Sequence, residues 1–194
     1  MFKLKHNIKT DQVRGLSVGG ERPTAAEVEA VRRELAKVPL CFREHWRRRG
    51  GKCDVVPGNN ASIHPEFSHH GRKAVGWAAS SLLIAVGGDC PESVSYVFAR
   101  CVDEYTDASD FSAWIKIYDF EKKTFEDSVI PPDYLRSPGE MFCCKFQDFY
   151  TSDGGRRTQR VKDRVGMLAV RFFERLEKSI TEAVADEANV VILY

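Results

Sequence analysis

Tyr96 and Arg100 stand four residues apart in the segment Pro91–Tyr105, and Glu140 opens a later segment, SPGEMF. If Pro91–Tyr105 is helical, a spacing of four puts Tyr96 and Arg100 on one face, a turn apart. The three side chains are a phenol, a permanent cation and a carboxylate. As metal ligands they are a poor set. Tyrosine ionises near a pKa of about 10, and a guanidinium repels a divalent ion. Val97, beside Tyr96, has no group that could act as a base.

Three other groups could carry chemistry. His64-Pro-Glu-Phe-Ser-His69-His70 supplies three imidazoles and Glu66, enough donors for zinc or nickel, but in a loop without fixed helical spacing. Surface histidines are the plainer reading. Cys143-Cys144-Lys145 near a helix start could hold a reactive thiol, with the loop histidines as the available bases. Arg47-Arg48-Arg49 ends a short helix, where cations favour the dipole, and could also dock an acidic partner.

The elements that must position these groups follow from periodicity. Residues 1–22 read as a basic arm with a short strand, and residues 23–194 as one domain. Thr24 and Glu27 form a capping box ahead of a helix carrying Val28, Val31, Leu35 and Val38. Pro39 marks its end. Leu40–Arg49 is a second helix stopped by Gly50 and Gly51, and Cys53–Val56 a strand. Pro57–Gly71 is a polar loop. Gly76–Ala79 and Leu82–Val86 are strands joined by a turn. In the helix over Pro91–Tyr105, Val94, Val97, Phe98, Cys101, Val102 and Tyr105 share one apolar face. Asp89 or Cys90 caps it, with Pro91 in the first turn. Asp107–Asp119 is helical with Phe111, Trp114, Ile115 and Tyr118 inward. Ser137-Pro138-Gly139-Glu140 is a second capping box, opening a helix lined by Phe142, Phe146, Phe149 and Tyr150 and ended by Asp153-Gly154-Gly155. Residues 159–186 form the longest helix, with Val161, Val165, Leu168, Phe172, Leu176, Ile180 and Val184 on its face. Val190–Tyr194 is apolar, an edge strand or a partner contact.

The 194 residues carry a net charge of +1, which argues against nucleic-acid binding as the main activity. No apolar run is long enough to span a bilayer, and the N-terminus has no signal-peptide core. The scattered cysteines read as reduced thiols, so a cytoplasmic location is expected. All five histidines precede residue 71, so no imidazole can come from the helices bearing Arg100 and Glu140.

In order and spacing, AAEVEAVRRELAKVP, GKCDVV, AVGWAASSLLIAV, SVSYVFARCVDEY and SPGEMFCCKFQDFYTSD resemble the catalytic domain of the anthrax lethal-factor-like zinc peptidases over roughly residues 24–180. The resemblance implies an α+β, zincin-like fold, with several helices packed on a small mixed sheet. It places Tyr96 and Arg100 where such enzymes carry the two histidines of His-Glu-x-x-His. Val97 falls at the catalytic glutamate and Glu140 at the third ligand. Tyr134 lies near where a tyrosine can steady the reaction intermediate. No confident catalytic residue remains, no cofactor is expected, and Arg100 and Glu140 are the candidate binding pair. The expected function is an inactive peptidase-like domain that binds a peptide or protein partner, without nucleic acid or membrane. Two alternatives stay open: an active hydrolase with an unconventional metal or cysteine–histidine site, and a structural or regulatory subunit with a vestigial cleft. Oligomeric state is left open.

Overall fold

Alternation of facing residues in three short strands builds a sheet with two unlike sides. The computed structural model describes residues 12–70, 74–78, 82–125, 132–151 and 165–190. Strands β1 (Val13–Gly15), β2 (Lys52–Val56), β3 (Gly76–Ala78) and β4 (Leu83–Gly87) lie in the order β1-β2-β4-β3. β1, β2 and β4 run parallel, and β3 pairs antiparallel with β4 at the edge. On one side Val13, Cys53, Val55, Ile84 and Val86 join the main core with the helices. On the other, Val56 and Ala85 pack under Ala61 and Phe67. Period-2 alternation thus serves two separate cores.

Six α-helices are seen among the described residues: α1 (Ala25–Ala36), α2 (Leu40–Arg48), α3 (Ser93–Thr106), α4 (Ser112–Thr124), α5 (Pro138–Thr151) and α6 (Met167–Val190). The architecture is therefore α+β, as expected. The Thr24 hydroxyl caps α1 by accepting from the Glu27 N–H at 3.2 Å, and the Glu27 carboxylate accepts from the Thr24 N–H in return. Gly50, at φ 86°, takes the left-handed turn that stops α2. The largest helix–helix contact joins α3 to α5, and Phe42, Phe142, Phe146 and Phe173 fill the space between helices edge to face. No helix among the described residues is long and apolar enough to cross a membrane.

Several expectations need correction. α3 starts at Ser93, not at an Asp89 or Cys90 cap. Pro91 and Glu92 belong to the preceding turn, whose Cys90 carbonyl takes both the N–H and the hydroxyl of Ser93. α4 starts at Ser112 because Asp107, at φ 52°, ends α3 and a 3-10 turn over Ala108–Asp110 intervenes. Phe111 then lies outside the helix and is 46% exposed, Ile115 is half-buried, and Ile117 is buried instead. The last helix begins at Met167, because Gly166 at φ 87° breaks the helical phase. Val165 is buried ahead of the break while Leu168 is 53% exposed. The buried stripe runs through Ala169, Val170, Phe173, Leu176 and Ile180. Val190 is the last residue of α6 rather than a strand residue. Residues 1–11, Val161, Asp153-Gly154-Gly155 and 191–194 lie outside the described residues.

Candidate functional site

α3 is amphipathic, and its buried stripe (Val94, Val97, Phe98, Cys101 and Val102) is anchored between the sheet and α5. That anchoring leaves Tyr96 and Arg100 on the flank toward the first turn of α5. Ser137 caps that turn, its hydroxyl accepting from the Glu140 N–H at 3.1 Å. The reciprocal half of the expected capping box is not made. The Glu140 carboxylate instead accepts from the Tyr96 hydroxyl and from an Arg100 terminal nitrogen. The same Arg100 nitrogen also donates to the Tyr96 oxygen at 2.9 Å, and the guanidinium lies 5.3 Å from the Tyr96 ring centre. Sequence therefore anticipated the Arg100–Glu140 pairing but not the phenol as its third member.

The electrostatics follow from this closed triangle. Burial alone would raise the Glu140 carboxyl, but hydrogen bonds from Tyr96 and Arg100 outweigh it and hold the group below the usual carboxylate range. Burial, reinforced by the bond to Glu140, pushes the Tyr96 phenol well above its ordinary value, so it stays a neutral donor. Burial works against the Arg100 charge. Cys143, Tyr96 and Glu140 work for it and leave it above the ordinary guanidinium value, with Glu140 the partner ionised at neutral pH.

The cluster divides a groove beneath the edge strand β3. One side is an apolar cleft of about 640 Å³ bounded by Val75, Trp77, Tyr96 and Val97. The other is an acidic cleft of about 340 Å³ bounded by Asp103, Glu104, Asp107 and Asp110. Ala78 and Arg100 border both. Val97 is buried, with its Cγ2 against Gly76 of β3 so closely that a Cβ there would clash. Tyr134 is not part of the cluster. Its ring lies 5.7 Å from the ammonium of Lys145, itself bonded to the Val165 carbonyl at 2.7 Å and to Glu121 at 2.8 Å.

The cluster does not fit a zinc ion. Arg100 brings a guanidinium, the Tyr96 phenol is held protonated, and the Glu140 carboxylate is committed to both. Among the described residues no group of three His, Cys, Asp or Glu side chains is placed to hold a metal. His64 is buried, and its Nε2 faces Asp54 at 3.1 Å across the sheet's second core, while Glu66 and His69 are exposed. The His70 side chain lies outside the described residues. The thiols are not activated either: burial raises Cys143 well above its ordinary value and raises Cys144 as well.

The Arg100–Glu140 pair is less buried than a core ion pair, with side-chain exposures of 45% and 32%. Arg100→Met is therefore expected to cost about 1–2 kcal/mol, below the range for fully buried pairs. Urea unfolding at neutral pH checks this, and Arg100→Met combined with Glu140→Gln should cost less than the sum of the two singles. Additive costs would show that the pair is not coupled.

No protein-family profile and no curated protein matches the chain. Among solved structures, the Pro-Pro endopeptidase of Paenibacillus alvei is similar, with a TM-score of 0.63 at 17% identity over 79% of this chain and 92% of that one. The likeness supports a zincin-like fold.

Proposed function

We propose that the chain is a catalytically inactive peptidase-like domain of the lethal-factor-like kind, which binds a peptide or protein partner in the groove under β3. One observation carries the reading: Tyr96, Arg100 and Glu140, which the resemblance sets at metal-ligand positions, are closed on one another in a single cluster. The groove itself persists on both sides of that cluster. β3 is an edge strand, and an extended peptide can pair with such an edge through backbone bonds while side chains fill adjacent pockets. The apolar cleft beside Trp77 gives one such pocket. The six cysteines are unpaired, which supports a reducing, cytoplasmic setting.

The test is binding without cleavage. The name of the similar endopeptidase makes a Pro-Pro-containing peptide the first to try, within a panel of extended peptides. Saturable binding by calorimetry is expected, and Ala78→Arg, which crowds both clefts, should weaken it by about tenfold or more. Peptide hydrolysis by purified protein with added zinc would make the chain an active hydrolase. Absence of any binding would make the groove vestigial and the chain a structural or regulatory subunit.

A further inference from the structure

A second cavity, of about 320 Å³, lies between α1, α2 and β1 and shares no residue with the groove under β3. Its floor is apolar, formed by Val13, Leu35 and Trp46. Its walls carry four arginines, Arg32, Arg33, Arg43 and Arg47, against two carboxylates, Glu29 and Glu44. Both carboxylates are already used: Glu29 pairs with Arg32, and Glu44 with Arg47 at 2.7 Å. Arg43 donates through Nε to the Val38 carbonyl at 2.9 Å, and no carboxylate bonds its terminal nitrogens among the described residues. Burial lowers its pKa, against the opposing charge of Glu44. Arg33 is exposed and has no bonded partner among the described residues, and the Nε of Arg32 is buried without one.

We propose that this cavity is a docking site for an acidic peptide segment of a protein partner, one carboxylate seated between Arg33 and Arg43 and a neighbouring apolar side chain on the Val13–Leu35–Trp46 floor. Charge complementarity selects this occupant. Arg33 has no bonded partner and the terminal nitrogens of Arg43 bond no carboxylate among the described residues, and a planar guanidinium fork suits one. Glu29 and Glu44 interrupt the positive rim, so a continuous phosphate backbone would meet repulsion where a single carboxylate would not. The apolar floor adds a requirement that a free anion cannot satisfy.

The experiment is fluorescence anisotropy with the full-length protein and a labelled peptide of one phenylalanine flanked by glutamates. Saturable binding is expected, lost when lysines replace the glutamates. Arg33→Glu, at an exposed side chain, should weaken it by about tenfold or more. Arg43→Gln should do the same, with circular dichroism confirming that the variant is folded. Ala78→Arg should leave it unchanged, which separates this site from the groove under β3. No binding, equal binding to Arg33→Glu, or tighter binding to a single-stranded oligonucleotide of the same charge would overturn the proposal.

Discussion

Histidine at positions 96 and 100 is expected to turn the Tyr96–Arg100–Glu140 cluster into a zinc site. Tyr96→His with Arg100→His removes the guanidinium and supplies two imidazoles one turn apart beside a carboxylate that has lost both of its donors. Metal analysis of the purified double variant should give about one zinc per chain, the ratio one such ligand set supports. Adding Glu140→Gln should abolish it. Free zinc at about a hundred times the dissociation constant should stabilise the double variant by about 2.7 kcal/mol and leave the parent unchanged. Equal zinc contents in parent and double variant would refute the expectation. The same variant should not hydrolyse peptides, because Val97 remains. Val97→Glu would be required for a base, yet Val97 is 2% exposed and packed on Gly76 of β3. A carboxylate there would be buried without a partner, at a cost of several kcal/mol, on the order of the whole margin of stability. Introducing a metal is therefore a matter of two side chains, whereas introducing a base at position 97 means repacking the contact of α3 with the sheet.

Loss of Asp54 should be the most damaging single change outside the hydrophobic cores. Its side chain is 2% exposed on the second face of the sheet and accepts from Arg14 at 2.6 and 3.1 Å and from His64 at 3.1 Å. His64 Nδ1 accepts the Glu66 N–H, so the ring proton sits on Nε2 and needs Asp54 as its acceptor. Asp54→Ala leaves that donor buried and orphaned. The expected cost is about 3 kcal/mol, the low end for a buried pair because Arg14 can reach water. Burial would raise the Asp54 carboxyl, but the bonds from Arg14 and His64 outweigh it and hold it below its ordinary value. A depressed folded-state pKa contributes stability above the unfolded value and loses it as pH falls through the folded one. The gap between wild type and Asp54→Ala should therefore shrink as pH falls below about 4. Denaturant curves at several pH values measure it. A gap of under about 1 kcal/mol at pH 7 would show that the network carries little of the stability.

Much of the fold is legible in the sequence because periodicity and caps are local. The Thr24–Glu27 box, the hairpin of β3 and β4, and the apolar stripe of α3 all stand as expected. Two of the misplaced boundaries share a cause, a residue in the left-handed region that hydropathy does not register. Asp107 ends α3 and delays α4, and Gly166 resets the phase of α6. The Arg100–Glu140 pair is legible through the resemblance, which sets the two residues at facing positions on successive helices. Tyr96 as the third member is not, since its hydroxyl reaches Glu140 only through the particular packing of α3 on α5. The loop holding His64 was the least legible. Its histidines read as surface side chains, with metal ligation the sharper alternative, yet Asp54, ten residues earlier in a strand, draws His64 inward, and Phe67 becomes part of a second core. A lone aspartate inside the apolar run Cys53–Val56 is the signal that a buried partner had to exist.

The mixed sheet also sets an order of assembly. Ala78 and Ile84, paired across β3 and β4, are six positions apart, whereas Lys52 and Leu83, paired across β2 and β4, are thirty-one apart. Closing the longer loop costs about 1.5 kcal/mol more in chain entropy. The strand that borders the groove can thus form as a local hairpin before its parallel neighbours arrive. Its outer edge is bare at that early stage, before α3 has docked against it, so the pairing surface proposed to serve a partner is also the one a nascent chain must shield from other copies of itself.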